Sequence, residues 1–239
     1  MLADQLNELK SRLIRVHGDN LESIVLYGPA VSDGQLGHDR PKKVLVVLDH
    51  IAPDDLKAAH DEAEWWRSEG NPVPLYFTSE EMSDSSDVFP IEFLDMSQAR
   101  HVLHGRDPFE GLEIHTQNLR HQLEYELRAK LLRLRRLYIP VSQKANQLAR
   151  LMAESLDDFA VLFRHVLLML GKEGSFNRRE CAMMLAETLQ LDRRVIERIF
   201  EYSADEDLWI ESETNETFAR YLVQIERVIE TVDDVKREA

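Results

Sequence analysis

The stretch SIVLYGPAVSDGQLGHDRPKKVLVVL, residues 23–48, contains two apolar segments separated by a polar loop. The first segment, Ile24 to Tyr27, ends at Gly28, and the second, Val44 to Leu48, is an unbroken apolar run. Apolar runs of this length that are bounded by turn residues are typical of buried strands. The stretch therefore predicts two buried strands joined by a long polar loop.

This order of strand, glycine, loop and strand resembles the nucleotidyltransferase domain of the DNA polymerase beta-like superfamily. The motif of that family is an apolar strand, Gly-Ser, a short glycine-containing turn, and Asp-x-Asp leading into a second apolar strand. Gly28 matches the glycine, and Val44 to Val47 match the strand that follows the aspartates. The resemblance implies a mixed sheet with flanking helices and a site where two magnesium ions assist nucleotide transfer.

The residues that would carry the chemistry differ from that motif. Pro29 stands at the serine position, and Pro41 and Lys43 stand at the two aspartate positions. Alternate residues of a strand point to one side, so two carboxylates at this spacing can hold a pair of metal ions. Magnesium prefers hard oxygen ligands, which neither proline nor a protonated lysine side chain supplies. The sequence therefore predicts no metal ligands here.

Two other acids are candidates if the protein is an active enzyme with relocated carboxylates. Asp39 lies in the loop, and Glu92 lies in the segment Phe89 to Met96, which we interpret as the fourth strand. The resemblance puts Glu92 at the third carboxylate position of the family. One acid does not hold two metals, so magnesium is expected as a cofactor only under this alternative.

The remaining elements predict an α+β protein. Helical leucine spacing begins the chain, Thr78 to Glu81 forms a capping box, and a short helix is expected over Arg100 to His104. From about Thr116 the strand pattern disappears and apolar residues recur at helical spacing. We predict a nucleotidyltransferase-like mixed sheet with flanking helices in residues 1–112 and an all-α helical bundle in residues 113–239.

The formal net charge of -15 argues against a general nucleic-acid-binding protein, which needs a surplus of basic residues. Residues 116–150 are an exception, with eight basic and two acidic side chains. One interpretation is a phosphate-binding surface that includes Arg128 and Arg135. The other, which we favour, is a basic helix neutralised by acidic helices or by a partner surface.

The single cysteine, Cys181, excludes an intramolecular disulfide and is typical of a reducing compartment. The N-terminal residues carry charges and do not resemble a secretory signal. The longest apolar run, Phe159 to Leu170, is interrupted by Arg164 and His165, so no membrane span is expected. We therefore expect an acidic cytoplasmic protein.

Three functional hypotheses follow from these observations. The first is a catalytically degenerate nucleotidyltransferase-like protein that binds a nucleotide or acts as a protein-interaction or regulatory module. The second is the active magnesium-dependent enzyme with relocated acids, and the third is an antitoxin-like partner protein that docks through the basic helix. A protein partner or a second copy of the chain is expected under the first and third. Under the first hypothesis, the candidate nucleotide-binding residues are Gly28, Pro29, Lys43, Arg128 and Arg135.

Overall fold

The protein folds into two compact units, Met1–His115 and Thr116–Ala239. The first contains a four-stranded sheet with flanking helices, and the second is helical. This architecture confirms the predicted α+β class. The residues that the computed structural model describes are 2–31, 41–114, 116–202 and 211–235.

The first unit is built on a mixed sheet with strand order β3-β2-β1-β4. Strand β1 is antiparallel to both of its neighbours, whereas β2 and β3 are parallel. The two predicted strands on either side of the loop are therefore the two central strands. The elements of this unit are α1 (Leu2–His17), β1 (Leu21–Tyr27), β2 (Lys43–Leu48), α2 (Pro53–Ala58), α3 (His60–Ser68), β3 (Leu75–Thr78), α4 (Ser79–Ser85), α5 (Pro90–Gln98) and β4 (Arg100–Gly105).

Both faces of the sheet are covered, which explains why the central strands are apolar throughout. On one face, α1 packs three leucines against β1 and β2, and Trp66 of α3 joins them. On the other face, Met82 of α4, Phe93 and Met96 of α5 and Phe109 form the core. Fully covered strands cannot show the alternation of apolar and polar residues that marks a half-exposed sheet.

Two neighbouring elements differ from the prediction. The segment Phe89 to Met96 is not a strand, because residues Pro90–Gln98 form α5, and Arg100–Gly105 is the edge strand β4 rather than a helix. Proline is favoured in the first turn of a helix, and Ile91, Phe93 and Met96 are buried at helical spacing. Strand β4 is rich in polar residues because it forms one edge of the sheet.

The second unit is a helical bundle. Its core includes leucines of α6, much of the apolar face of α7, and Phe218 and Tyr221 of α10. The ring of Tyr138 stacks on Phe218 with centroids 4.2 Å apart. Among the described helices, none combines the length and apolarity needed to cross a membrane. The elements of this unit are α6 (Thr116–Val141), α7 (Ala145–Met169), α8 (Arg178–Thr188), α9 (Arg193–Tyr202) and α10 (Glu211–Asp234).

Candidate functional site

Gly28 ends β1 in a conformation that favours glycine. Its φ is +80°, in the left-handed region, and the chain continues from it into a short 3-10 turn that includes Pro29. The Gly28 amide donates a hydrogen bond of 2.7 Å to the carbonyl oxygen of Ala99, and its own carbonyl accepts one of 2.9 Å from Val31. These bonds hold the turn against the segment that joins α5 to β4.

Lys43 lies directly beside this turn. It is the first residue of β2, it pairs with Tyr27 at the end of β1, and its side chain is exposed. A Cβ atom placed on Gly28 would lie 3.8 Å from Cδ of Lys43, so the lysine stem passes over the glycine. The structure thus brings together three residues predicted from the sequence, Gly28, Pro29 and Lys43. We call this group the glycine-lysine end of the sheet.

Arg128 and Arg135 belong to the second unit, on α6. Nε of Arg128 donates a hydrogen bond of 3.0 Å to Glu124, and Nη2 of Arg135 donates one to Glu226 of α10. The two arginines are therefore neutralised by acids of their own bundle. The basic residues between 116 and 150 that pair with acids in the same way are Arg120, Arg128, Lys130, Arg133, Arg135 and Arg150.

A surface cavity of about 470 Å³ opens at the other end of the sheet, and the sequence did not predict it. Ser79 Oγ donates a hydrogen bond of 2.6 Å to Glu22, and the buried Ser23 Oγ donates to the carbonyl oxygens of His104 and Arg106. The cavity is of the size of small-ligand sites, but its walls are mainly polar. Its lining includes Glu22, Ser23, Ser79, Arg106, Asp107 and Glu110.

No protein-family model matches the chain, and no curated protein matches it significantly in sequence. Its structure is similar to that of the spectinomycin adenyltransferase AAD(9) from Enterococcus faecialis, solved with ATP and spectinomycin. The TM-score is 0.59, the two sequences are 14% identical, and the match covers 95% of this chain and 98% of that one. This protein has a nucleotidyltransferase-like fold. At this level of identity the likeness concerns the fold alone.

The motif of the family that the sequence resembles would put metal-binding carboxylates at the glycine-lysine end of the sheet. The four strands contain one acid, Glu22, and it lies at the opposite end of β1, where Leu21 pairs with Leu48. Within the described ranges, no group of three or more His, Cys, Asp or Glu side chains is arranged to hold a metal ion. Neither the ammonium group of Lys43 nor the side chain of Pro41 supplies the oxygen ligands that a pair of magnesium ions needs. Asp39 lies outside the described residues.

Glu92 lies on helix α5 and is exposed, so its predicted position on a strand of the nucleotidyltransferase-like sheet is wrong. Another acid of α5, Asp95, influences Tyr27, the residue that precedes Gly28. Burial raises the pKa of the Tyr27 phenol, and the nearby charge of Asp95 raises it further. Sequence reasoning missed this pair because it interpreted the segment of Asp95 as a strand. The helical spacing of Phe93 and Met96 was the signal that could have revealed it.

Proposed function

We propose that this protein is a nucleotidyltransferase-like protein that does not carry out metal-dependent nucleotide transfer and instead acts as a nucleotide-binding or protein-interaction module. The observation that carries the proposal is the position of Lys43, the first residue of β2, beside the Gly28 turn. An ammonium group repels a divalent cation at short range, and no carboxylate in the four strands offsets it at that end. Fold likeness alone does not establish an activity.

For the nucleotide-binding role, we propose that the glycine-lysine end contacts phosphate groups. A lysine ammonium is a compact point charge that binds phosphate without a metal ion. Lys43 is suited to this because it is exposed and because the described residues place no acid in an ion pair with it. As a separate proposal for the second unit taken by itself, Arg128 and Arg135 contact phosphate groups in competition with their present partners Glu124 and Glu226.

The compartment and the division into domains are part of the same proposal. A reducing cytoplasm suits a chain with a single cysteine that is buried. We propose residues 1–112 as the nucleotidyltransferase-like domain and residues 113–239 as the helical domain. A protein partner or a second copy of the chain would bind the interaction module.

The test has two parts, performed on the purified chain. The first measures incorporation of labelled nucleotide from ATP, GTP, CTP or UTP with magnesium, using water, small hydroxyl compounds, protein and RNA as acceptors. The second follows the thermal unfolding of the protein with each nucleotide, with and without magnesium, because a ligand that binds the folded state raises the midpoint. We expect no transfer, and a midpoint shift that does not require magnesium.

Two variants make this test specific. Lys43→Ala removes the proposed phosphate contact, and Lys57→Ala removes an exposed lysine of α2 as the matched control. We expect the shift to disappear in the first variant alone. Magnesium-dependent transfer that Asp39→Ala and Glu92→Ala abolish would contradict the proposal and favour the active enzyme. Absence of both transfer and shift would leave the protein-interaction role.

A further inference from the structure

A row of apolar side chains lies on an exposed side of α6. Tyr125, Leu132 and Ile139 have exposed fractions of 71%, 65% and 73%. They are seven residues apart, which is close to two helical turns, so they share one side of the helix over about 21 Å. Ala129 is also exposed and lies on the same side. We call Tyr125, Ala129, Leu132 and Ile139 the α6 stripe.

The α6 stripe is distinct from the side of the helix that builds the bundle core. Leu119, Leu123, Leu127, Leu131 and Leu134 are buried and form that core side. A helix with a single buried face needs one apolar stripe, and the opposite side is normally polar. A second stripe with a spacing of seven is the pattern of a helix that pairs with another helix. Exposed apolar patches of this kind mark interaction sites.

Basic side chains border the α6 stripe. With a rotation of 100° per residue, Arg128 and Arg135 lie along one edge of the α6 stripe and Arg133 lies along the other edge. Arg136 lies within the stripe, between Leu132 and Ile139. All four arginines are exposed. The border of the α6 stripe is basic, whereas the chain as a whole has a formal net charge of -15. The surface therefore complements a partner that is apolar along one line and acidic beside it.

The ion pairs that the arginines make within the bundle do not prevent such docking. Arg128 pairs with Glu124, Arg133 with Asp158, and Arg135 with Glu226, and the side chains of all three arginines are at least 49% exposed. Exposed ion pairs contribute about 0 to 1 kcal/mol each. Carboxylates of a partner can therefore replace these acids at small cost.

We propose that the α6 stripe binds an acidic amphipathic helix of a partner protein, whose apolar side covers the stripe and whose Asp and Glu side chains face the arginines. This inference rests on the proposed interaction-module function and names its partner class. A second copy of this chain fits less well. Pairing α6 with α6 about a two-fold axis, parallel or antiparallel, places arginine edges opposite arginine edges, and like charges that face each other are unfavourable.

The test uses a designed probe peptide and the full-length protein. The probe is a fluorescent helical peptide with leucine at two positions of each heptad and glutamate at the flanking positions. A scrambled peptide of the same composition and a peptide with lysine in place of glutamate serve as controls. We expect saturable binding of the acidic amphipathic peptide, measured by fluorescence anisotropy, and binding at least about tenfold weaker for both control peptides.

Two protein variants locate the binding surface without changing the net charge. Leu132→Ser/Ile139→Ser removes the apolar contact, and we expect it to weaken binding at least about tenfold. Val223→Ser on α10, which replaces a side chain that is 57% exposed, is the matched control and should bind like the unmodified protein. Both replaced positions of α6 are exposed, so circular dichroism and the thermal midpoint are expected to stay unchanged.

Other outcomes would overturn the inference. The first is equal affinity for the scrambled peptide, and the second is unchanged peptide binding by the Leu132→Ser/Ile139→Ser variant. The third is a sedimentation experiment in which the unmodified protein is a dimer and that variant is a monomer. Binding to phosphatidylserine vesicles that depends on Leu132 and Ile139 would make the surface a membrane contact and would overturn it too. If the protein transfers nucleotides, the proposed function is wrong, whether or not the peptide binds. If the peptide does not bind and no nucleotide is transferred, only this inference is wrong.

Discussion

Arg100, at the start of β4, holds the carboxylate of Asp107 with one edge of its guanidinium, formed by Nε and Nη2. Nε donates to Oδ1 at 3.1 Å and to Oδ2 at 2.9 Å, and Nη2 donates to Oδ2 at 2.7 Å. Asp107 also accepts a 3.0 Å hydrogen bond from the Phe109 amide. The pair joins the first residue of β4 to the turn that follows the strand, from which Phe109 enters the core.

Asp107→Asn is expected to destabilise the first unit by about 1 to 3 kcal/mol at pH 7, because charge-assisted hydrogen bonds are lost. Burial alone would raise the pKa of Asp107, but the hydrogen bonds from Arg100 and Phe109 and the charge of Arg100 lower it below its usual value. A lowered native pKa stabilises the protein above the unfolded pKa of about 4, and this stabilisation is lost as the pH falls through the native value.

Urea unfolding at pH 7, 5 and 3 measures this effect, with Asp84→Asn, an exposed acid of α4, as the control. The difference between the Asp107→Asn variant and the unmodified protein should shrink towards pH 3. A difference of equal size at all three values would mean that the Asp107 charge contributes nothing.

Gly105→Ala is expected to cost at least about 3 kcal/mol. A Cβ atom at Gly105 would lie 1.8 Å from the carbonyl oxygen of Glu22, and its φ of +75° is unfavourable for alanine. Gly111→Ala is the matched control, because Gly111 has a φ of +81° and open space around its Cβ position. The difference in unfolding free energy between the two variants isolates the steric contact, and similar values for both would argue against the close approach of β4 to β1.

Cys181 is expected to resist thiol reagents in the folded protein. It is buried in α8, and burial raises the pKa of its thiol to about 12. The thiolate is the reactive form, so both access and ionisation limit the reaction at pH 8. Reaction with a chromogenic disulfide reagent should be slow in buffer and rapid in denaturing urea. Rapid reaction of the folded protein would show that α8 opens readily.

Pro41→Asp/Lys43→Asp is expected to create divalent-metal binding at the glycine-lysine end. The variant restores two carboxylates at the spacing that the family motif uses, and it removes the ammonium that repels a cation. Manganese binding, followed by electron paramagnetic resonance, should appear in this variant and not in Lys43→Asp alone. Absence of binding in the double variant would mean that the local backbone does not bring the two side chains together.

Local sequence features identified the parts of the fold that depend on local interactions. Thr78 and Glu81 form the predicted capping box, with the Glu81 amide donating to Thr78 Oγ1 at 3.0 Å and the Thr78 amide donating to Glu81 at 2.9 Å. The central strands were recognised because both of their faces are buried. In the candidate site, motif order predicted Gly28 and Lys43 as site residues, and this stays a prediction. The proximity of Tyr27 to Asp95 was not predicted, since the two residues are far apart in the chain.

The sequence by itself determined the α+β class, the two central strands and the helical second half, and it predicted that carboxylates are absent from the motif positions. These features depend on composition, short-range periodicity and local order. Only the tertiary structure decided that residues Pro90–Gln98 form a helix and Arg100–Gly105 the edge strand. The local sequence of either segment is compatible with a helix or a strand. Burial against α4 and β1 selects the helix for residues Pro90–Gln98, and pairing at the sheet edge selects the strand for Arg100–Gly105. The same reason applies to α6, whose second apolar side became recognisable only when the first was seen to be buried.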